Sequence, residues 1–156
     1  MYFLYNFMTH QNFIIMTVNQ ILNTKGKQVF SVTSNITVYE AIKVMGEKNI
    51  GALLIIEHDN LKGILSERDY ARKVVLKGKS SVDTFVHEIM EDDLITVKSS
   101  DSIDYCMELM SGKRIRHLPV VENGTVLGLI SIGDVVKGII EMQKETIDYL
   151  HSYISQ

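Results

Sequence analysis

Apolar positions change their period several times along the chain, and each change predicts an element. Val38, Ala41, Ile42 and Met45 recur at helical spacing behind Thr37-Val-Tyr-Glu40, a capping-box signature, so an amphipathic helix is expected over residues 38–48. GALLIIE (51–57) then runs continuously apolar, as a buried strand does. Asp59-Asn60 is expected to turn the chain, LKGILS (61–66) to return as a second strand, and ERDYARKVVLKG (67–78) to resume helical spacing through Tyr70, Val74 and Leu76. The succession repeats with a helix over 103–111, strand LPVVE (118–122), an Asn123-Gly124 hairpin turn, strand VLGLIS (126–131) and a helix. That last helix, from about Ile132 through Tyr149, carries Val135, Val136, Ile139, Ile140, Ile147 and Leu150. This is more apolar surface than one small domain covers, and a homodimer is the expected use.

The two patterns are copies of one unit. Residues 32–69 lie over 97–134 without a gap, and the pairs Val32/Val97, Ser34/Ser99, Met45/Met110, Lys48/Lys113, Ile50/Ile115, Leu53/Leu118, Glu57/Glu122, Gly63/Gly128, Ser66/Ser131 and Asp69/Asp134 are identical. Upstream, QILNTKGKQVFSV matches EIMEDDLITV once three residues are allowed in the first copy. A duplicated strand-helix-strand-strand-helix unit, its halves stacked on one another, is therefore expected, of the α/β (α+β) class. The boundaries read as an irregular tail over 1–16, a first repeat over 17–82 and a second over 83–156 with the long C-terminal helix.

Composition narrows the chemistry. At 156 residues the chain can bury a core without staples, and its one cysteine, Cys106, excludes an intramolecular disulfide and a Cys-built zinc site, which suits a reducing, cytoplasmic compartment. Cys106 shares an apolar helix face with Ile103, Met107 and Met110 and reads as core. A formal net charge of −3 gives no global pull toward nucleic acid or anionic lipid, so neither partner is expected. MYFLYNFMTHQNFII opens the chain without a Lys or Arg and is broken by Asn6, His10, Gln11 and Asn12. It reads as an irregular tail ahead of a natural start at Met16, neither a signal peptide nor a membrane span. His10, His58, His87 and His151 lack metal-ligand spacing, and no glycine-rich phosphate loop is present, so neither metal nor catalysis is expected.

The doubled Gly-x-x-Ser-x-x-Asp, in GILSERD and GLISIGD, admits two readings. Ser before a helix with an acid in its first turn is an N-terminal cap. The same helix start, following a strand, also offers N–H groups to phosphate, and its carboxylate can accept both hydroxyls of a ribose. An exposed anion gains only about 0.3–1 kcal/mol from a helix terminus, whereas micromolar binding needs about 8 kcal/mol. A nucleotide site therefore needs cations. Arg68 lies inside the first motif, and Lys113, Arg114, Arg116 and His117 crowd the approach to LPVV. Between copies Arg68 becomes Gly133 while Gly51 and Ala52 become Arg116 and His117, so two unequal pockets are expected.

With GALLIIE, GILSERDYARKVVLKG, RIRHLPVVENG and LGLISIGDVVK the chain resembles a tandem pair of CBS domains, a Bateman module, of the small bacterial kind sometimes labelled IMP dehydrogenase-like. The barrel of that enzyme needs about 250 residues. The resemblance covers about residues 17–155 and implies a non-catalytic regulatory module that binds AMP, ADP, ATP, NAD or S-adenosylmethionine between its repeats, as an energy or redox-state sensor read by a downstream partner. By motif position, the resemblance implies that Asp69 and Asp134 hold ribose hydroxyls and that Ser66 and Ser131 contact ribose or phosphate. Ser31 with Val32 and Thr96 with Val97 would flank adenine, and Gly51, Ala52 and Leu53 with Arg116, His117 and Leu118 would line the cleft. Arg68 is the phosphate candidate in the first copy; Ile132 and Gly133 weaken that role in the second. The alternative is a structural or oligomerisation module in which Ser and Asp only cap helices.

Overall fold

A computed structural model describes residues 15–154; the expected tail lies, up to residue 14, outside them. The first half comprises α1 (Val18–Lys25), β1 (Ser31–Val32), α2 (Val38–Lys48), β2 (Ala52–Glu57), β3 (Asn60–Ser66) and the single turn α3 (Glu67–Asp69). The second comprises a 3-10 turn (Val86–Glu88), α4 (Ile103–Lys113), β4 (His117–Glu122), β5 (Thr125–Ser131) and the 23-residue α5 (Ile132–Ile154). The mixed α/β architecture and the order of the long elements are as expected. The capping box is also present: Glu40 N–H donates to Thr37 Oγ1 at 3.2 Å, and Thr37 N–H to Glu40 Oε2 at 2.8 Å.

Three local expectations are corrected. The first hairpin turns at His58-Asp59, whose φ angles of 49° and 63° match those of Asn123-Gly124, at 50° and 78°; Asn60 already pairs with Glu57. Both are two-residue turns with positive φ throughout, the geometry a right-twisted hairpin requires. Helix 67–78 is not regular. After α3 it widens into a π-type turn (Tyr70–Val74), tightens into a 3-10 turn (Val75–Lys77) and stops at Gly78, φ 63°. Val74 is thereby buried, but Leu76 is 77% exposed and is no part of the core. At the equivalent place in the second copy stands Gln143, and α5 runs straight through.

The first strand of the second copy shrinks to one parallel bridge between Val97 and Val120. Proline explains it. In the first half Leu54 N–H donates to Phe30 O at 3.2 Å, extending the parallel β1–β2 pair. The residue 65 positions on from Leu54 is Pro119, which has no N–H to donate.

Two cores form, and each is closed by a segment from the other half. Val18, Ile21 and Leu22 of α1 pack with Val97, Ile103, Cys106, Leu118 and Ile130 of the second half. Val86 and Ile89 pack with Val38, Met45, Leu53 and Leu65 of the first. Backbone pairing follows the same exchange: Thr17 bridges Ser102, and Phe85 bridges Thr37. Gly63 and Gly128 permit the contact, since a Cβ on Gly128 would lie 2.6 Å from Leu22 Cδ2 and one on Gly63 would lie 2.8 Å from Met90 Sδ. Leu22 and Met90 are 68 positions apart, the 65-residue repeat plus the three-residue allowance.

Because Leu22 is 1% exposed and fills the second core, Leu22→Ala is expected to cost about 2–5 kcal/mol. Leu76→Ala is expected to stay within about 0.5 kcal/mol. Urea unfolding of both variants checks this, with equal costs counting against the exchange.

Candidate functional site

Each Ser-x-x-Asp turn is built identically. Asp69 N–H donates to Ser66 Oγ at 3.2 Å, and Asp69 Oδ2 accepts from Ser66 N–H at 3.0 Å and from its hydroxyl at 2.6 Å. Asp134 and Ser131 repeat the three bonds at 3.3, 2.7 and 2.9 Å. Each turn is also tied to the start of its own half's central strand, with Glu67 N–H donating to Gly51 O at 3.0 Å and Ile132 N–H to Arg116 O at 2.8 Å. Both aspartates therefore cap. What distinguishes them is the cation each one faces.

Asp69 lies 3.3 Å from Lys73, one turn along its own segment, and Lys73 also donates to Ile89 O at 2.8 Å. Asp134 pairs at 2.6 Å with Lys25, brought by the exchanged α1, and Lys25 also donates to Leu129 O at 2.9 Å. The residue 68 positions after Lys25 is Asp93, so the first turn receives an acid where the second receives a lysine.

Around the Asp69 turn a cleft of about 270 Å³ opens between the halves. Of the residues singled out in the sequence, Gly51, Ser66, Arg68, Asp69, Arg114, Arg116 and His117 line it. Arg68 crosses the cleft edge to donate to Arg114 O at 3.0 Å. The others lie elsewhere. Ala52, Leu53, Val97 and Leu118 are buried core; Ser31 and Val32 pair with Leu54 and Ile55; Thr96 is exposed. Ser131, Ile132 and Asp134 form the second turn, and Asp134 borders a smaller groove of about 110 Å³ with Lys25, Lys137 and Glu141.

Sequence reading did not place Ile64, Glu67, Arg72, Glu91, Asp93, Leu94, Ile95, Ile115 and Pro119, which complete the lining. Arg72 could have been found at i+4 from Arg68, the same-face spacing. Residues 91–95 could not, because they arrive through the exchange, where Ile64 and Glu91 bond reciprocally at 2.9 Å. Four arginines thus line one cleft. Among the described residues none of them has a carboxylate oxygen within 4.0 Å, every salt bridge being made by lysine.

His117 needs a correction. It was grouped with the cations, but burial above all, reinforced by Lys25 and Arg116 and opposed by Asp134 and Asp69, lowers its pKa below the ordinary 6.5. It faces the cleft as a neutral ring at pH 7. Burial alone would raise the Asp134 carboxyl, but the Lys25 and Ser131 hydrogen bonds and the Lys25 charge outweigh it and hold it below its ordinary value. Cys106 is buried, its thiol pushed up to about 11 by burial and by the Asp101 charge, which makes it a poor nucleophile at pH 7.

The CBS domain family matches the chain twice, over residues 18–76 and 86–141. The chain belongs to the CBS domain family. As a CBS pair it is a regulatory module. It is 38% identical to the mitochondrial CBS domain-containing protein CBSX3 of Arabidopsis thaliana, over 94% of this chain and 76% of that one. A solved structure with CBS domains from Burkholderia ambifaria shares 52% identity and a TM-score of 0.78, covering 81% of this chain and 95% of the other. The CBS pair of MJ0100, solved with 5'-methylthioadenosine and S-adenosyl-L-methionine, is 29% identical with a TM-score of 0.70, covering 80% and 96%.

The shifts at His117 and Asp134 make this CBS pair acid-sensitive. The unfolded chain protonates His117 at higher pH than the folded chain, so its stabilising contribution is complete above 6.5 and falls as pH drops below that value. The contribution of Asp134 is complete well above 3.8 and is lost as pH falls below it. His117→Gln is expected to flatten the upper part of the profile and Asp134→Asn the lower. Thermal unfolding from pH 7.5 to 3 checks both, and profiles parallel to wild type would refute them.

Proposed function

We propose that this CBS pair is a non-catalytic sensor that binds one adenosine-containing ligand bearing phosphate, of the AMP, ADP, ATP or NAD class, in the cleft at Asp69. The observation that carries the reading is the four arginines, Arg68, Arg72, Arg114 and Arg116, around one cleft without carboxylate partners among the described residues. Guanidinium forks match phosphate oxygens, and charge-assisted bonds contribute about 1.5–3 kcal/mol each, so two or three approach the roughly 8 kcal/mol of micromolar binding. The ligands named for MJ0100 carry no phosphate; the arginines favour one that does. A carboxylate has about four acceptor positions. Asp69 can therefore keep its cap and still accept ribose hydroxyls, while Leu94, Ile95 and Pro119 offer apolar surface to adenine.

At the second turn the capping reading is the better one. Lys25 already occupies Asp134, and Gly133 stands where the first copy has Arg68. One ligand per chain follows. The module is a homodimer in the cytoplasm, in keeping with the exposed apolar residues of α5 and the single buried cysteine, and a protein partner reads its ligand-dependent shape. Among the described residues no helix is long and apolar enough to cross a membrane.

Calorimetry with AMP, ADP, ATP, NAD and S-adenosylmethionine tests the reading. Phosphate-bearing ligands are expected to bind at one site per chain and more tightly than S-adenosylmethionine. Arg68→Ala or Arg116→Ala is expected to weaken them about 10- to 100-fold. Asp69→Asn should weaken binding, whereas Asp134→Asn should change stability alone. No heat at millimolar nucleotide from folded protein would sink the proposal.

A further inference from the structure

Among the described residues, the buried and half-buried positions of α5 all lie in its first half. Val135 and Gly138 are buried, Ile132, Ile139 and Met142 are half-buried, and every residue of 143–154 is exposed. That outer stretch is twelve residues long, a length at which an isolated helix is marginal in water. A second stripe, turned away from the domain, runs Val136, Ile140, Gln143, Ile147, Leu150 and Ile154, and every one of these is exposed. Their spacings of four, three, four, three and four are those of a coiled-coil seam and not of a surface helix covering a globular core.

We infer that this stripe pairs with the same stripe of a second copy of the chain as a parallel, in-register, two-stranded coiled coil. The seam places Ile140, Ile147 and Ile154 at one core position and Val136, Gln143 and Leu150 at the other. β-Branched residues at all three places of the first, with leucine at one of the three places of the second, are compatible with two parallel strands. Gln143 selects the direction. In a parallel pair it faces the partner's Gln143, and the two amides bond each other; in an antiparallel pair it faces an isoleucine and is buried without a partner. Charge agrees, since Lys137 and Lys144 flank the seam on one side. Antiparallel packing would bring Lys144 against the partner's Lys144, whereas parallel packing sets Lys144 beside the partner's Ile139.

The inference rests on the homodimeric reading above, and two measurements separate them: native mass reports the dimer, and cross-linking reports the helix pairing. Leu150→Cys is expected to form a disulfide-linked dimer nearly completely on mild oxidation, with wild type as control because Cys106 is buried. Ile147→Asp is expected to weaken the dimer at least 100-fold in sedimentation while leaving circular dichroism of the domain and nucleotide heats unchanged. Gln143→Leu is expected to raise thermal stability and to loosen the preference for the parallel dimer. A native dimer that Leu150→Cys does not cross-link, or that Ile147→Asp leaves intact, would overturn the seam and spare the dimer. A wild-type monomer at 100 µM would overturn both. Cross-linking of an Ile140→Cys, Leu150→Cys double variant between positions 140 and 150 would show the antiparallel pair and overturn the direction.

Discussion

The fold depends on closing each core with a segment that belongs, in sequence, to the other half. Leu22 sits over Gly128 and Met90 over Gly63, in approaches that a Cβ would block. A CBS half alone has one sheet with one helix-covered face and leaves the remaining apolar side chains to be met from outside. Burying Val18, Ile21 and Leu22 in the second core, and Val86 and Ile89 in the first, welds the two units into one. Each buried aliphatic side chain contributes about 1.5–3 kcal/mol, so neither half keeps its stability when its exchanged segment is withdrawn.

The same exchange decides the chemistry of the two turns. Serine and aspartate are identical in both and make the same three hydrogen bonds. What arrives beside them differs. α1 brings Lys25 to Asp134, while the segment after Val86–Glu88 brings Glu91 and Asp93 to the neighbourhood of Asp69. The second turn is thus neutralised from within. The first gathers acids and arginines without carboxylate partners around a volume large enough for part of a nucleotide, and among the described residues Lys73 alone forms an ion pair with its aspartate.

Much of this was legible in the sequence. The repeat fixes equivalent positions, so the helix over 38–48, both hairpins and the duplicated cap could be read from period and turn chemistry. The site was half legible. Residues that carry a motif, such as Ser66, Arg68 and Asp69, announce themselves. Leu94 and Ile95 do not, because they reach the cleft through the exchange, and nothing local records which core a segment enters. Thr96 and Val97 were placed at the adenine by equivalence with Ser31 and Val32, yet Pro119 lacks the N–H by which Leu54 extends β1 in the first half, and Val97 is drawn into the core. The irregular turn over Tyr70–Val74 was hidden for a similar reason: helical spacing is satisfied by Tyr70 and Val74, and only packing decides whether the turn stays α.

A regulatory module must also transmit. The cleft residue His117 begins β4, whose hairpin partner β5 ends at Ser131, directly across from it, and Ser131 starts α5. Lys25 holds the same joint from α1. Ligand at the Asp69 cleft and the outward end of α5 are therefore connected through one hairpin and one capped helix start, with no loop between them to absorb a shift. Connection is not yet coupling, which requires the ligand to bind two arrangements of that joint with different affinity. The joint has the means for two arrangements. Lys25 shares its ammonium between a carbonyl and a carboxylate, and its charge acts on His117, which lines the cleft. A difference of 1–3 kcal/mol, typical of such coupling, is within reach of moving one ammonium between partners.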